Sequence, residues 1–373
     1  MTYVGNLGLD VEGISVLGKA DCAWMFHDRL SDSTKAKFSR EAIKEYDELD
    51  DNMYLSDLNK SVRHSTGITP PFILSAAAYD GKTDEELTEI AENIVKRNMM
   101  PGAEKMINAA KDVFGKKKVY LISNAYPAIP LKMAEITDIP FDQVFSSGYQ
   151  QKRRHSQDQK TLIEEVKARS PVADLSQDRK TLGKFLTEYL GVCKELSPCY
   201  KSNGRDIDNE ILKRSLLGKL SRIFNKYVAY ESSGRQGNAI KRTFVTEEGV
   251  MGGHRKVDAM RSVEDDRESW GYVGDSIVDA MGLDYANAGI AVNNTNEHAL
   301  SLAKLNCATQ DISNIIPVIQ SMPNGAFNAE RLKCLDSKDM KVFTAKEIQK
   351  DLSTVIAENQ KAKDVLKQKF VPV

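Results

Sequence analysis

Three short apolar runs, each cut off by polar residues, set the pattern of this chain. Tyr3-Val-Gly-Asn-Leu-Gly-Leu9 leads into Asp10, Val11, Glu12 and Gly13. Lys118-Val-Tyr-Leu-Ile122 leads into Ser123 and Asn124, and Trp270-Gly-Tyr-Val-Gly274 leads into Asp275, Ser276 and Asp279. Such runs are too short for buried helices, so they predict central strands whose carboxyl ends deliver polar side chains into a crevice. Period-two alternation turns Asp10 and Glu12 to the same side. Elsewhere the spacing is helical. Leu87, Ile90, Ala91, Ile94 and Val95 form a core-facing stripe on a helix predicted over Asp84 to Arg97, with Thr83 and Glu86 as its capping box. Further helices are expected over Lys35 to Tyr46 and over Asp206 to Val228, the latter with Leu212, Leu216, Leu220, Ile223, Phe224 and Tyr227 on its apolar face. Lys256 falls near the start of another, after His254. From Thr344 to Lys369 helix formers dominate. Ile348, Leu352, Val355 and Ile356 there mark a face packed on the core or, in a homo-oligomer, on a second subunit.

This order of elements predicts an α/β protein with a Rossmann-like parallel-sheet core built from residues 1–13, 100–150 and 243–320. A mainly helical insert, 14–99, divides the first two pieces, and a second helical insert, 151–242, divides the last two. Residues 321–373 are expected as a helical extension. A chain of 373 residues suffices for two or three such units.

The strand ends carry the candidate chemistry. Asp275 and Asp279 suit a hard cation such as Mg²⁺, which takes oxygen ligands and shares them with a substrate phosphate. The plainer reading is an acidic loop with Asp275 or Ser276 as a helix N-cap. Ser123 and Asn124, with backbone N–H groups, can bind phosphate oxygens, or they form only a turn. Lys256 is either a charge clamp or a solvated lysine. Trp24, Phe26 and His27 either line a pocket or simply pack.

Taken together, Asp10-x-Glu12-Gly13, then Ser123 after a strand, then Lys256, then Gly274-Asp275 with Asp279 resemble the four motifs of the haloacid dehalogenase-like (HAD) superfamily. The stretch Ala288-Gly-Ile-Ala-Val-Asn293 is similar to that family's last core strand, and Met100-Pro-Gly-Ala103 sits where its members re-enter the core. The resemblance covers the core segments and not the inserts. It implies that 14–99 is a helical cap that closes over the site and excludes water. It implies a Mg²⁺-dependent phosphatase acting on a small phosphorylated metabolite. Asp10 would be the nucleophile, forming an aspartyl-phosphate, and Glu12 the general acid and base. Asp10, the backbone carbonyl of Glu12 and Asp275 would hold Mg²⁺, while Asp279 orients the site. Gly13, Ser123, Asn124 and Lys256 would bind the phosphoryl group.

Two departures lie in the first motif: Glu12 replaces the commoner second aspartate, and Ile14 stands where threonine is frequent. The glutamate form occurs in the enolase-phosphatase branch and in the archaeal group called energy-converting hydrogenase A subunit R, which this chain also resembles. Nothing in the sequence resembles a redox centre. A phosphomutase or phosphotransferase would use the same residues, and a non-catalytic binding or assembly subunit would keep them as a relic.

Composition adds limits. Net charge is −1 with 28% charged residues, so no polyanion-binding excess exists over the whole chain. Residues 151–245 alone hold 20 Lys or Arg against 11 Asp or Glu. That insert is a solvated basic face, an anionic-substrate cap or a nucleic-acid patch. The cluster Lys152-Arg-Arg-His155 lacks interleaved aromatics and no nucleic-acid motif accompanies it, which favours the solvated face. Cys22, Cys193, Cys199, Cys307 and Cys334 have no Cys-x-x-Cys spacing. Reduced thiols in a cytoplasm are expected. Neither a signal peptide nor an apolar run of membrane-spanning length is apparent.

Overall fold

A seven-stranded sheet runs through the computed structural model, which describes residues 4–17, 84–125, 128–146, scattered helical positions between 188 and 223, 251, 253–323 and 327–369. The expected Lys35–Tyr46 helix, the Thr83 cap, Trp24, Phe26, His27, the Lys152–His155 cluster and most of Asp206–Val228 lie outside the described residues. The strands are β1 (Asn6–Leu9), β2 (Val119–Ser123), β3 (Val144–Ser146), β4 (Trp270–Gly274), β5 (Ala288–Val292), β6 (Leu305–Thr309) and β7 (Met340–Thr344). Their order is β3-β2-β1-β4-β5-β6-β7, all parallel except β7, which is antiparallel to β6. Every residue of β1 to β6 is buried, so these strands read as continuous apolar runs with both faces covered. Only β7 alternates in burial, as suits an edge strand.

Among the described residues these helices accompany the sheet: α1 (Asp84–Asn98), α2 (Ala103–Phe114), α3 (Ala128–Thr137), α4 (His254–Val263), α5 (Ala280–Tyr285), α6 (Glu297–Leu302), α7 (Ile316–Ser321), α8 (Ala329–Leu332), α9 (Ala345–Lys350) and α10 (Leu352–Lys369). Strand alternation sends Val119, Leu121 and Val273 into one apolar cluster with Met106 and Ile107 of α2, Met133 of α3 and Ile319 of α7. Tyr120, Ile122, Trp270 and Tyr272 enter the other, with Val257 and Met260 of α4 and Leu283 of α5. Each fully buried Leu or Ile contributes about 1.5–3 kcal/mol of transfer free energy, so the sheet is a stiff platform for whatever its ends present.

Between β1 and α2 the chain leaves this platform and returns to it at one junction. Leu17 N–H donates to the Asn98 carbonyl (2.6 Å), Met100 N–H donates to the Ser15 carbonyl (2.9 Å), and Val16 bridges Met99. Beyond this junction α1 keeps the expected stripe, with Ile90, Ile94 and Val95 buried. In the second insert Leu216 and Ile223 are buried but Leu212 is 51% exposed, so the apolar face is narrower than its spacing predicts. Arg214, Lys219 and Arg222 are exposed.

The 321–373 segment, expected to be helical, also contributes β7. Thr344 and Glu347 cap α9 reciprocally. Ile348 and Val355 are buried, and Leu352 and Ile356 pack against the same cluster, so this face meets the core. Asn359 of α10 and Asn306 of β6, both fully buried, exchange two amide hydrogen bonds of 3.2 and 3.3 Å. No helix among the described residues is long and apolar enough to cross a membrane.

Candidate functional site

Winding reverses between β1 and β4: the chain steps outward from β1 to β2 and β3 on one side, and from β4 to β5, β6 and β7 on the other. Open α/β sheets leave a crevice beyond the carboxyl ends of such a pair. Asp10 follows β1 and Asp275 follows β4, with Leu9 opposite Val273 in register and Asp10 N–H donating to the Val273 carbonyl (3.0 Å). Asp10 and Asp275 are buried together with Asp279, and one carboxylate oxygen of each lies within 4.8 Å of the others.

Lys256 is fully buried, which excludes the alternative of a solvated lysine at a helix start. Its Nζ lies 3.2 Å from Asp10 Oδ2 and 2.5 Å from Asp279 Oδ1. Asp279 is the most heavily bonded acid. Its Oδ1 also accepts from Tyr272 Oη (2.7 Å), and its Oδ2 accepts from Asp275 N–H (3.0 Å), Ser276 N–H (3.0 Å) and Ser276 Oγ (2.9 Å). Ser276 and Asp279 thereby close a capping box, so the plainer N-cap reading of this loop is realised beside the acidic cluster.

Two glycines permit these approaches. Gly13 has φ 74°, and a Cβ there would meet the Asp275 carboxylate at 2.0 Å. A Cβ on Gly274 would meet the Asp279 carboxyl carbon at 2.4 Å. Glu12 is half-buried on a tight turn held by Gly13 N–H to the Val16 carbonyl (2.7 Å) and Ser15 N–H to the Val11 carbonyl (2.8 Å). Because β1 stops at Leu9, this turn rather than strand alternation positions Glu12. Ser123, fully buried at the end of β2, accepts from Ala125 N–H (3.1 Å), and among the described residues its own hydroxyl proton has no acceptor. Asn124 beside it is half-buried.

Electrostatics separate the three acids. Burial, then Asp279, push Asp10 well above the carboxylate range, against the pull of Lys256. Burial pushes Asp275 up to about 6, with Lys363 opposing. Burial acts on Asp279 too, but Lys256 and the hydrogen bonds outweigh it and hold Asp279 below the ordinary value. Burial works against the Lys256 ammonium, yet Asp10 and Asp279 raise it above its usual value. One buried ammonium thus faces three buried carboxyl groups, of which burial favours the neutral form in Asp10 and Asp275. A hard divalent cation fits this all-oxygen donor set and would favour the ionised form of both. Since Asp279 already accepts from five donors, Asp10 and Asp275 are the carboxylates with room for an ion.

Two residues here escaped sequence reasoning. Tyr272 is buried on β4, with its hydroxyl on Asp279 and its ring 5.9 Å from Lys256 Nζ. Lys363 of α10 places Nζ 3.9 Å from Asp275 Oδ2. A Cβ on Gly8 or Gly282 would strike the Tyr272 ring, a packing relation that only the fold reveals. Lys363 left no signal in the sequence either.

Neither a family model nor a curated protein matches this sequence. Among solved structures, gene product AF1437 from Archaeoglobus fulgidus is similar to the chain, with a TM-score of 0.58, 18% sequence identity and 97% of each chain covered. At that identity the likeness speaks for the fold alone, and it extends over nearly the full length of both proteins.

Proposed function

We propose that this chain is a HAD-like, Mg²⁺-dependent phosphatase that hydrolyses a small phosphomonoester through an aspartyl-phosphate on Asp10. The observation that carries the reading is the Lys256 ammonium held between Asp10 and Asp279 beside Asp275, at the point where the sheet reverses. A capping carboxylate alone has no need of a fully buried lysine or of two further buried acids.

Asp10 attacks phosphorus as the ester oxygen departs, so one difficult displacement becomes two easier ones. Its ionised form is required; Lys256 favours that form but burial and Asp279 outweigh it, so the reading needs the bound cation to complete the ionisation. Glu12 gives a proton to the leaving alkoxide and takes one from the water that cleaves the aspartyl-phosphate. Ser123 donates its hydroxyl to a phosphoryl oxygen, with Asn124 and the Gly13 turn beside it. Asp279 keeps Lys256 aimed through its own dense hydrogen bonding. Asp10, Asp275 and the Glu12 carbonyl would hold Mg²⁺, which when bound neutralises the phosphoryl oxygens and the crowded carboxylates. Residues 14–99 would be the cap and 151–242 a second, basic insert, with the active protein expected in the cytoplasm.

The deciding experiment is a phosphate-release screen over small phosphomonoesters, with and without Mg²⁺, for wild type and Asp10→Asn. Wild type should turn over at least one ester only with Mg²⁺, and Asp10→Asn should lose more than about tenfold in kcat, a barrier increase above ~1.4 kcal/mol. A folded Asp10→Asn protein with near-normal turnover, or wild-type activity in chelator, would overturn the reading.

A further inference from the structure

Between the acidic cluster and the last helix lies a cavity of about 250 Å³, walled by Gly13 and Asp275 on the sheet side and by Gln360, Lys363, Leu366 and Lys367 of α10 on the other. We propose that α10 is the specificity wall of the site and that the substrate is a phosphomonoester carrying a second anionic group, a carboxylate or another phosphate, bound by Lys363 and Lys367. The proposal rests on the phosphatase reading for where the first phosphate sits.

Helical spacing puts Asn359, Lys363, Leu366 and Lys367 on one face of α10. Asn359 and Leu366 on that face are buried against the core. A face that packs on a core is ordinarily apolar throughout, so Lys363, 27% exposed and interleaved there, asks for a partner, while Lys367, 40% exposed, stands at the cavity's rim. Among the described residues, Asp275 is the sole acid within ion-pair distance of Lys363. At 3.9 Å that contact is too long for a hydrogen bond, so the three N–H donors of Lys363 remain for a ligand. Among the described residues Lys367 makes only an exposed contact with Asp364, at 3.5 Å, and such contacts are weak.

The position of α10 is fixed independently of these lysines. Sliding or rotating the helix would separate Asn359 from Asn306 and leave two buried amides unpaired. Lys363 follows Asn359 by one helical turn, so the same pairing sets where its ammonium lies. The cavity is smaller than a drug-sized pocket and suits a skeleton of a few carbons. Such a ligand brings negative charge to the mouth of a site already rich in carboxylates, and two lysines on the facing wall offset that repulsion.

The test uses matched phosphonates, which bind but cannot be hydrolysed, with Mg²⁺ present. By calorimetry, wild type should prefer phosphonoacetate over methylphosphonate, or propane-1,3-diphosphonate over propylphosphonate, by about tenfold or more. The first pair reports a carboxylate and the second a phosphate as the additional anion. The double variant Lys363→Gln/Lys367→Gln should lose the preference, and Lys363→Arg/Lys367→Arg should keep it, which separates charge from damage to the helix. In turnover, the ratio of kcat/KM for phosphoglycerate over glycerol phosphate should fall in the Gln variant. No preference in wild type for either pair, or a preference that survives in the Gln variant, overturns the proposal. Turnover of esters without any preference leaves the phosphatase reading standing while this inference fails. A lysine-dependent preference without turnover of any ester supports the anion site and sinks the phosphatase reading.

Discussion

Cys307 sits fully buried on β6 among apolar neighbours, and burial pushes its thiol up to about 12 from an ordinary value of 9. In the unfolded chain that thiol ionises near its ordinary value. Its contribution to stability is therefore intact below pH 9 and is lost as pH rises toward 12, at about 1.4 kcal/mol per pH unit. Burial also pushes Tyr120 to about 12, which adds to the loss above pH 10. Urea melts between pH 9 and 11 should show the decline, and Cys307→Ala should make it shallower by about one proton; equal slopes would refute the assignment. Among the described residues neither Cys307 nor the exposed Cys334 is in a disulfide. Single residues were legible in proportion to how sharply they broke a pattern. Asp10, Ser123 and Asp275 each end an apolar run, so their shared location could be read. Tyr272 could not, because an aromatic in a core strand satisfies strand propensity and its hydroxyl goes unnoticed. Lys363 was hidden for a different reason: one lysine on a lysine-rich helix breaks no pattern, and only the fold brings it to Asp275.

At the scale of elements, the junction of α10 with β6 is open to a clean measurement. Asn359→Leu removes one partner of a reciprocal pair and leaves the Asn306 amide buried, an expected loss of about 1–3 kcal/mol. Adding Asn306→Leu removes the stranded amide as well, so the double variant should recover much of that loss. Urea denaturation of both single variants and the double gives the coupling. A double variant whose loss is the plain sum of the singles would show that the amides act independently. The buried strands and α1 were legible because length and spacing both pointed one way. β7 was not, since Met340-Lys-Val-Phe-Thr344 alternates modestly and is followed by a long stretch of helix formers. Antiparallel pairing with β6, a tertiary contact, decides its state. Leu212 is the opposite case, an apolar residue with correct spacing that the fold leaves in solvent.

Over the whole molecule, the acidic cluster sets function against stability. With Asp275 raised to about 6, keeping it ionised at pH 7 costs the fold up to about 3 kcal/mol. Asp275→Asn should therefore raise the melting temperature in chelator while removing the stabilisation by Mg²⁺ expected of wild type. That stabilisation would reach about 2.7 kcal/mol at a hundredfold excess over Kd. Thermal melts of both proteins with and without Mg²⁺ check the pair of effects, and a wild-type melt indifferent to Mg²⁺ would remove the metal from the account. The buried sheet and its two apolar layers supply the margin that lets such a site persist. The paired stems at Ser15–Leu17 and Asn98–Met100 work, in turn, as a socket. Their ends stay joined whatever length of chain is plugged between them, and doubling a flexible excursion adds only about 0.6 kcal/mol of closure cost. Changes in the length of chain between these stems should therefore leave Asp10, a few positions before the first of them, and the residues packed around it where they are.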